Sequence, residues 1–152
     1  MIAALALVAA VLVQVMLVNR LPLPMGAPDV VLLTVIGLAL TRGPVAGAVL
    51  GFCGGLAADV IPPTAHVVGQ YAFVYALIGF LAGRGIGGMV PTVIVCVLAA
   101  PPLAAAVGGL IGDSRVTLEA MAEVMPVTAV YTLLLAPVVV WLTTRGNRRY
   151  AS

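Results

Sequence analysis

Long apolar segments dominate the chain, and short groups of arginines, prolines and glycines separate them. A helix needs about 20 residues to cross a hydrocarbon core of about 30 Å, and somewhat fewer where the bilayer thins. The pattern therefore predicts membrane-spanning helices. Six are predicted, over residues 2–18, 30–40, 44–61, 67–82, 89–111 and 124–144.

The second segment, over residues 30–40, is short for a crossing. Pro28 and Asp29 precede it, and Thr41, Arg42 and Gly43 follow it. Three arrangements are open: a steep tilt, extension into the flanks, or a re-entrant pair with the third segment. Irregular backbone at membrane depth is allowed where other protein covers it.

Composition excludes a soluble domain. Of 152 residues, 63% are hydrophobic and 8% are charged, and the mean hydropathy is +1.25. Soluble domains contain about 25% charged residues, and disordered chains are poor in apolar residues. The first segment lacks the basic start of a signal peptide and other apolar segments follow at once, so we expect it to be retained. The fold class predicted is an all-α integral membrane protein, a six-helix transmembrane bundle.

The arginines indicate the orientation. A net charge of +2, scattered along the chain, gives no sign of a nucleic-acid partner. Six spans with the N-terminus inside place five arginines in the cytoplasm and two outside, as the positive-inside rule favours. The inner set is Arg42, Arg84, Arg145, Arg148 and Arg149, and the outer set is Arg20 and Arg115. Five spans would scatter them, so we expect a multi-pass plasma-membrane protein with both termini cytoplasmic.

A glycine recurs at every fourth position of the third segment, at Gly43, Gly47, Gly51 and Gly55, and the series ends at Asp59. On a helix this spacing makes a continuous stripe without side chains. Such a stripe lets another backbone approach closely, which is how membrane helices associate. It is either a packing surface within the bundle or a face for a partner.

Asp59 is the ionisable residue expected within a span, where a carboxylate is costly unless it is paired, hydrated or protonated. Arg20 and Asp29 are expected at the same level. Three interpretations are open: a polar clasp of Arg20 with Asp59 or Asp29, a substrate or proton role, and hydration at the interface.

Other polar residues suggest no catalytic, metal-binding or cofactor-binding site. His66 stands alone, and Cys53 and Cys96 have no metal-ligand spacing. Residues 83–88 match G-x-G-x-x-G, but the dinucleotide motif needs a preceding strand, and here apolar helices flank it. We expect a protein that is not an enzyme.

Several features occur in a familiar order. They are Pro28 and Asp29 before a short helix, an Arg-Gly-Pro turn at 42–44, the segment 43–59 with its GFCGGLAAD ending, a glycine step at Gly69, and a helix end at 79–83. This order resembles the rod-shape-determining protein MreD family over most of the chain, and most specifically over residues 28–83.

The resemblance implies a non-enzymatic membrane scaffold of the bacterial cell-elongation machinery, which maintains rod shape. Such proteins act with MreC, with the peptidoglycan synthase pair of RodA and a class B transpeptidase, and with MreB filaments in the cytoplasm. Lipid is the other partner expected, and no cofactor or nucleic acid. The family is similar in fold to the substrate-capture subunits of energy-coupling vitamin transporters.

The alternative function is that of such a substrate-binding subunit. Ala6 and Ala10 resemble the helix-one contact that these subunits use. A vitamin pocket needs several convergent polar groups near the outer face. The chain offers only Arg20, Asp29, Asp59, His66 and a few threonines and tyrosines, and the scaffold is therefore preferred.

Overall fold

The computed structural model describes residues 1–61, 67–114 and 117–148. The all-helical prediction is confirmed over these residues, which form six α-helices and one 3-10 helix (Val18–Arg20) and contain no strand. The α-helices are α1 (Ile2–Met16), α2 (Val30–Arg42), α3 (Pro44–Val60), α4 (Gln70–Arg84), α5 (Met89–Ile111) and α6 (Leu118–Arg148). His66, Arg115 and Arg149, and the side chain of Arg148, lie outside what is described.

The ends of α2 have clear local causes. The Asp29 side chain accepts a hydrogen bond from the Leu32 amide at 2.9 Å, which caps the first turn. Gly43 ends the helix with φ 90°, a conformation that side chains disfavour. Pro44 then begins α3 at a position where no amide hydrogen is needed. The predicted turn at 42–44 is therefore sharp, and it sends α3 back along α2.

Two helices differ in extent from the prediction. Helix α6 has 31 residues and contains Pro126 and Pro137, whereas the apolar pattern predicts only 124–144. Its first turn carries Glu119, so the helix continues into a polar flank that hydropathy does not count. Helix α4 begins at Gln70 and not at 67, because Gly69 has φ 103° and starts the helix from a left-handed conformation.

Successive helices run in alternating directions, and their ends meet at two levels. At one level, the Gln14 side chain near the end of α1 makes hydrogen bonds with backbone groups at the start of α2. At the same level, the Gln70 side chain at the start of α4 donates a hydrogen bond to the Ala104 carbonyl in the second half of α5. We call this the Asp59 end. At the other level, Arg84 and Arg145 border one groove. We call this level of the bundle the Arg84 end.

Helix α2 is the centre of the bundle. Ten consecutive residues, 30–39, are buried, and α2 contacts each of the other five α-helices. A helix that is apolar on all sides belongs in such a position. Its 13 residues span about 20 Å at 1.5 Å per residue, short of a hydrocarbon core. The neighbouring helices cover its residues 30–39, and burial decreases over its last three residues, 40–42.

Three helical segments are long and apolar enough to cross a membrane: Ile2–Arg20, Met89–Ile111 and Met121–Gly146. Helices α2 and α3 are shorter apolar helices. The outward side of α3 exposes large apolar side chains at three- and four-residue spacing, namely Val45, Val49, Phe52, Leu56 and Val60. Surfaces of this kind are rare on soluble monomers and are normally covered by lipid or protein.

Candidate functional site

The predicted glycine stripe lies against the backbone of α4. A β-carbon added at Gly47 would collide with the Gly79 carbonyl oxygen, and one at Gly51 with the Tyr75 carbonyl oxygen. At Gly55 the added carbon would lie 2.6 Å from the α-carbon of Ala72. The stripe is therefore filled within the chain, and a partner helix has no access to it.

Gly43 plays a different part from the other three members. A β-carbon there would meet nothing within 4 Å, so space does not require glycine. Its φ of 90° does, because this residue makes the turn between α2 and α3. The backbone of Gly43 also supports the close approach of Gly83, where an added β-carbon would lie 2.5 Å from the Pro44 α-carbon.

Asp59, at the end of α3, caps the start of α4. Its carboxylate accepts backbone hydrogen bonds from Gly69 at 2.9 Å, Tyr71 at 3.1 Å and Ala72 at 3.1 Å, and the residue is 2% exposed. The first amides of a helix have no partner in the helix and carry partial positive charge, so they stabilise a carboxylate. Asp59 thus joins α3 to α4 at the end of the stripe.

The expected ion pairs of Arg20 are absent from the described contacts. Arg20 is exposed at the end of the 3-10 helix, and no ion pair joins it to Asp29 or Asp59 there. The physical reason is that amide and hydroxyl donors already surround both carboxylates. A polar clasp exists at this end of the bundle, but its partners are helix amides and a tyrosine, not a guanidinium.

Asp29 joins three helices. Its carboxylate caps α2 and accepts a hydrogen bond from the Tyr75 hydroxyl of α4. Its backbone amide donates to the Thr132 hydroxyl of α6 at 3.1 Å. Asp29 and Asp59 therefore lie at the same end of the bundle, as the sequence predicts. The Tyr75 hydroxyl of α4 joins this helix to Asp29 at the start of α2.

The sequence analysis missed two glutamines. The Gln14 amide oxygen accepts from the Val30 amide at 2.8 Å, and its nitrogen donates to the Pro28 carbonyl at 3.1 Å. This side chain fixes α1 to the start of α2. Gln70 is buried at the start of α4 and donates to the Ala104 carbonyl at 2.7 Å. The available signal was the position of each amide within or beside an apolar segment.

Two cavities flank the Tyr71–Tyr75 pair, whose rings pack edge to face at 5.5 Å. The first, about 330 Å³, lies among α2, α4, α5 and α6, and we call it the Gln70 cavity. The second, about 490 Å³, lies beside α1 and the loop before α2. Asp29, Tyr71 and Tyr75 line both, so the polar groups at this end converge on spaces large enough for small molecules.

The polar groups at this end of the bundle are carboxylates, tyrosines, threonines and amides. Over the described residues, no group of three His, Cys, Asp or Glu residues is placed to hold a metal ion. Cys53 is exposed and Cys96 is buried, both as free thiols. The arrangement offers capped carboxylates, tyrosines and amides in a largely apolar setting. No family model, curated protein or solved structure matches this chain.

Proposed function

We propose that this chain is a multi-pass scaffold of the bacterial plasma membrane that binds MreC and helps position the peptidoglycan synthases RodA and a class B transpeptidase. One observation supports the proposal above others. The residues that carry the resemblance to the MreD family, 28–83, include Asp29, the glycine stripe and Asp59, which lock α2, α3 and α4 together. The features that suggested the family are thus the ones that hold α2, α3 and α4 in close contact.

Six crossings are part of the proposal. The alternating helix directions and the two levels of helix ends support it, since each helix then begins where the last one ends. The arginines support it as well: Arg84 and Arg145 border one groove, whereas Arg20 ends the 3-10 helix that follows α1. The length of α2 is no obstacle, because neighbouring helices enclose it.

The proposed partner face is the outward side of α3. The glycine side of this helix is filled by α4, so a partner span must use another surface. The exposed Val49 and Phe52 belong to an apolar ridge that a single membrane span could cover. Packing of this kind relies on close contact, because lipid is as apolar as the helix surface.

The test is capture of the tagged full-length chain from native membranes in mild detergent, followed by mass spectrometry. We expect MreC with the wall synthases. Phe52→Ala on α3 should lower the MreC yield, whereas Phe73→Ala, an exposed phenylalanine on α4, should not. Co-elution of paired ATPases with a coupling membrane subunit would instead establish the transporter function and overturn the scaffold.

A further inference from the structure

A groove of about 630 Å³ opens at the Arg84 end of the bundle, where α2 and α4 end, α5 begins and the last part of α6 passes. Arg84 and Arg145 border it, and both residues are exposed, so a ligand in the groove can reach them. The other polar side chains of the lining are Thr41 and Thr144, whose hydroxyls donate to carbonyls of their own helices. The two arginines are therefore the charged groups and the free side-chain donors that the groove offers.

No acidic side chain lies near these arginines. The acidic residues stand at the starts of α2 and α6 and at the ends of α3 and α5, so all of them belong to the Asp59 end: Asp29, Asp59, Asp113, Glu119 and Glu123. Aromatic rings contact the guanidinium groups instead. Arg84 lies 5.7 Å from the centre of the Phe80 ring, and Arg145 lies 4.5 Å from that of Trp141. These rings attract cations but carry no net charge, so within the described residues the positive charge has no counter-ion.

The chemistry of the two side chains favours phosphate as the missing anion. A guanidinium group is planar and always charged, and its parallel N–H donors match two oxygens of a phosphate group. The groove is within the range of about 300–1,000 Å³ that is usual for small-molecule sites, so it has room for a phosphate-containing headgroup.

An apolar track leads away from the groove along α6. Trp141, Val138 and Leu134 precede Arg145 at spacings of four, three and four residues, so they share its face of the helix. Each of the three is more than half exposed. Because α6 is long and apolar enough to cross a membrane, we expect this face to lie against acyl chains, with Trp141 at the interface. A ligand with a phosphate head and apolar chains fits the arginines and the track together, whereas a soluble phosphate uses the arginines alone.

We propose that the groove at the Arg84 end binds the headgroup of an anionic glycerophospholipid. The guanidinium groups of Arg84 and Arg145 donate hydrogen bonds to the phosphate oxygens, and an acyl chain lies along Trp141, Val138 and Leu134 of α6. Basic pockets between membrane helices on the cytoplasmic side bind lipid headgroups in this way, and the Arg84 end is cytoplasmic in the proposed six-span arrangement. The site is additional to the scaffold role and does not depend on it.

The test uses Trp141, the only tryptophan of the chain, as a reporter inside the groove. The full chain is reconstituted in phosphatidylcholine nanodiscs that contain increasing fractions of brominated phosphatidylglycerol or brominated phosphatidylcholine. Bromine quenches tryptophan fluorescence on contact, so the two quenching curves together give the preference for anionic lipid beside Trp141. Arg84→Gln and Arg145→Gln each remove one exposed guanidinium group. Arg20→Gln is the matched control, since it makes the same charge change at an exposed arginine of the Asp59 end.

We expect the wild type and Arg20→Gln to prefer phosphatidylglycerol over phosphatidylcholine about tenfold or more. Arg84→Gln and Arg145→Gln should each lower this preference about fivefold, as loss of one arginine near an anionic surface would. Equal quenching of the wild type by the two lipids, or an equal loss in Arg20→Gln, would overturn the proposal. Inorganic phosphate, compared with sodium chloride at the same ionic strength, tests a soluble ligand. Loss of the preference with phosphate alone would assign the groove to a free anion and overturn the lipid site.

Discussion

Gly47 and Gly79 face each other across α3 and α4, and a β-carbon on either residue would collide with the carbonyl oxygen of the other. This reciprocal contact lies in the middle of a series that continues through Gly51 with Tyr75 and ends where Asp59 caps α4. Backbones this close gain dispersion contacts along their whole length. The α3–α4 pair therefore has little room for any added side-chain atom along this contact.

A glycine-to-alanine series tests this packing. Gly51→Ala should destabilise the protein by about 2 kcal/mol or more, because the new methyl group meets fixed backbone and the helices must separate. Gly109→Ala in α5 is the matched control, since its β-carbon meets nothing within 4 Å. Better helix propensity should make it neutral or stabilising by up to ~1 kcal/mol. Thermal unfolding in detergent gives both values, and equal effects would contradict the observed packing.

Gly54→Ala should give an intermediate result. Its β-carbon would lie 3.1 Å from a Leu7 methyl group and 3.2 Å from one of Val31, so flexible side chains can move aside. We expect a smaller loss of stability than for Gly51→Ala, in the same unfolding experiment. A loss as large as that of Gly51→Ala would mean that α3 is as tightly constrained on its α2 side as on its α4 side.

Removal of the Asp59 carboxylate should loosen the start of α4. Asp59→Ala leaves three amide donors without their acceptor, one of them buried, and we expect a loss of roughly 2–4 kcal/mol from cap and hydrogen-bond values. Asp59→Asn keeps one acceptor oxygen and should lose less. Hydrogen exchange at the amides of Gly69 and Ala72 would report the local opening directly.

Arg20→Gln is the control for the polar clasp. Because the Arg20 guanidinium is exposed and makes no ion pair with either carboxylate in the described structure, its loss should leave the unfolding temperature unchanged. A double-mutant cycle of Arg20→Gln with Asp59→Asn should show no coupling energy. Coupling above about 0.5 kcal/mol would restore the ion-pair interpretation.

Tyr75→Phe should weaken the link between α4 and the start of α2. It removes the hydroxyl that donates to Asp29, and hydrogen bonds to charged groups contribute about 1.5–3 kcal/mol. The matched control is Tyr131→Phe on α6, a half-buried tyrosine whose hydroxyl has no hydrogen bond among the described residues. Denaturant or thermal unfolding of both variants separates the effect of the bond from that of the substitution.

Reporter fusions test the number of crossings. Six spans place both chain ends on the same side of the membrane, whereas the three long segments alone would place them on opposite sides. We expect a fluorescent C-terminal fusion of green fluorescent protein and an active alkaline phosphatase fusion after Asp113, between α5 and α6. A cytoplasmic phosphatase at Asp113 would exclude the six-span arrangement.

The sequence predicted the helices well because hydropathy and turn residues act locally. The fifth segment, 89–111, coincides with α5, and Gly43 and Pro44 mark a real turn. The boundaries that differ depend on tertiary contacts. Gly69 marks the start of α4 locally, but Asp59, ten or more positions earlier, accepts the first amides of the helix. The residues near Gln70 do not show that a distant carboxylate caps this helix.

The site was less predictable for the same reason. The four-residue spacing of the glycines identified a close-packing face, but spacing cannot tell which helix fills it. Charge suggested Arg20 as the partner of the carboxylates, whereas backbone amides and the Tyr75 hydroxyl occupy that position. The buried oxygen of the Gln70 amide has no hydrogen-bond partner among the described residues, and its orientation depends on the contact with Ala104 of α5, which a sequence pattern does not show.

The enclosure of α2 has a consequence for how the protein is made. In the proposed six-span arrangement, a helix of 13 residues gains little from entering the bilayer alone, because it is too short and its packing surfaces lack neighbours. We therefore expect α2 and α3 to enter together, as a hairpin joined by the turn at Gly43. Variants that slow the formation of α3 should then leave α2 exposed to membrane proteases.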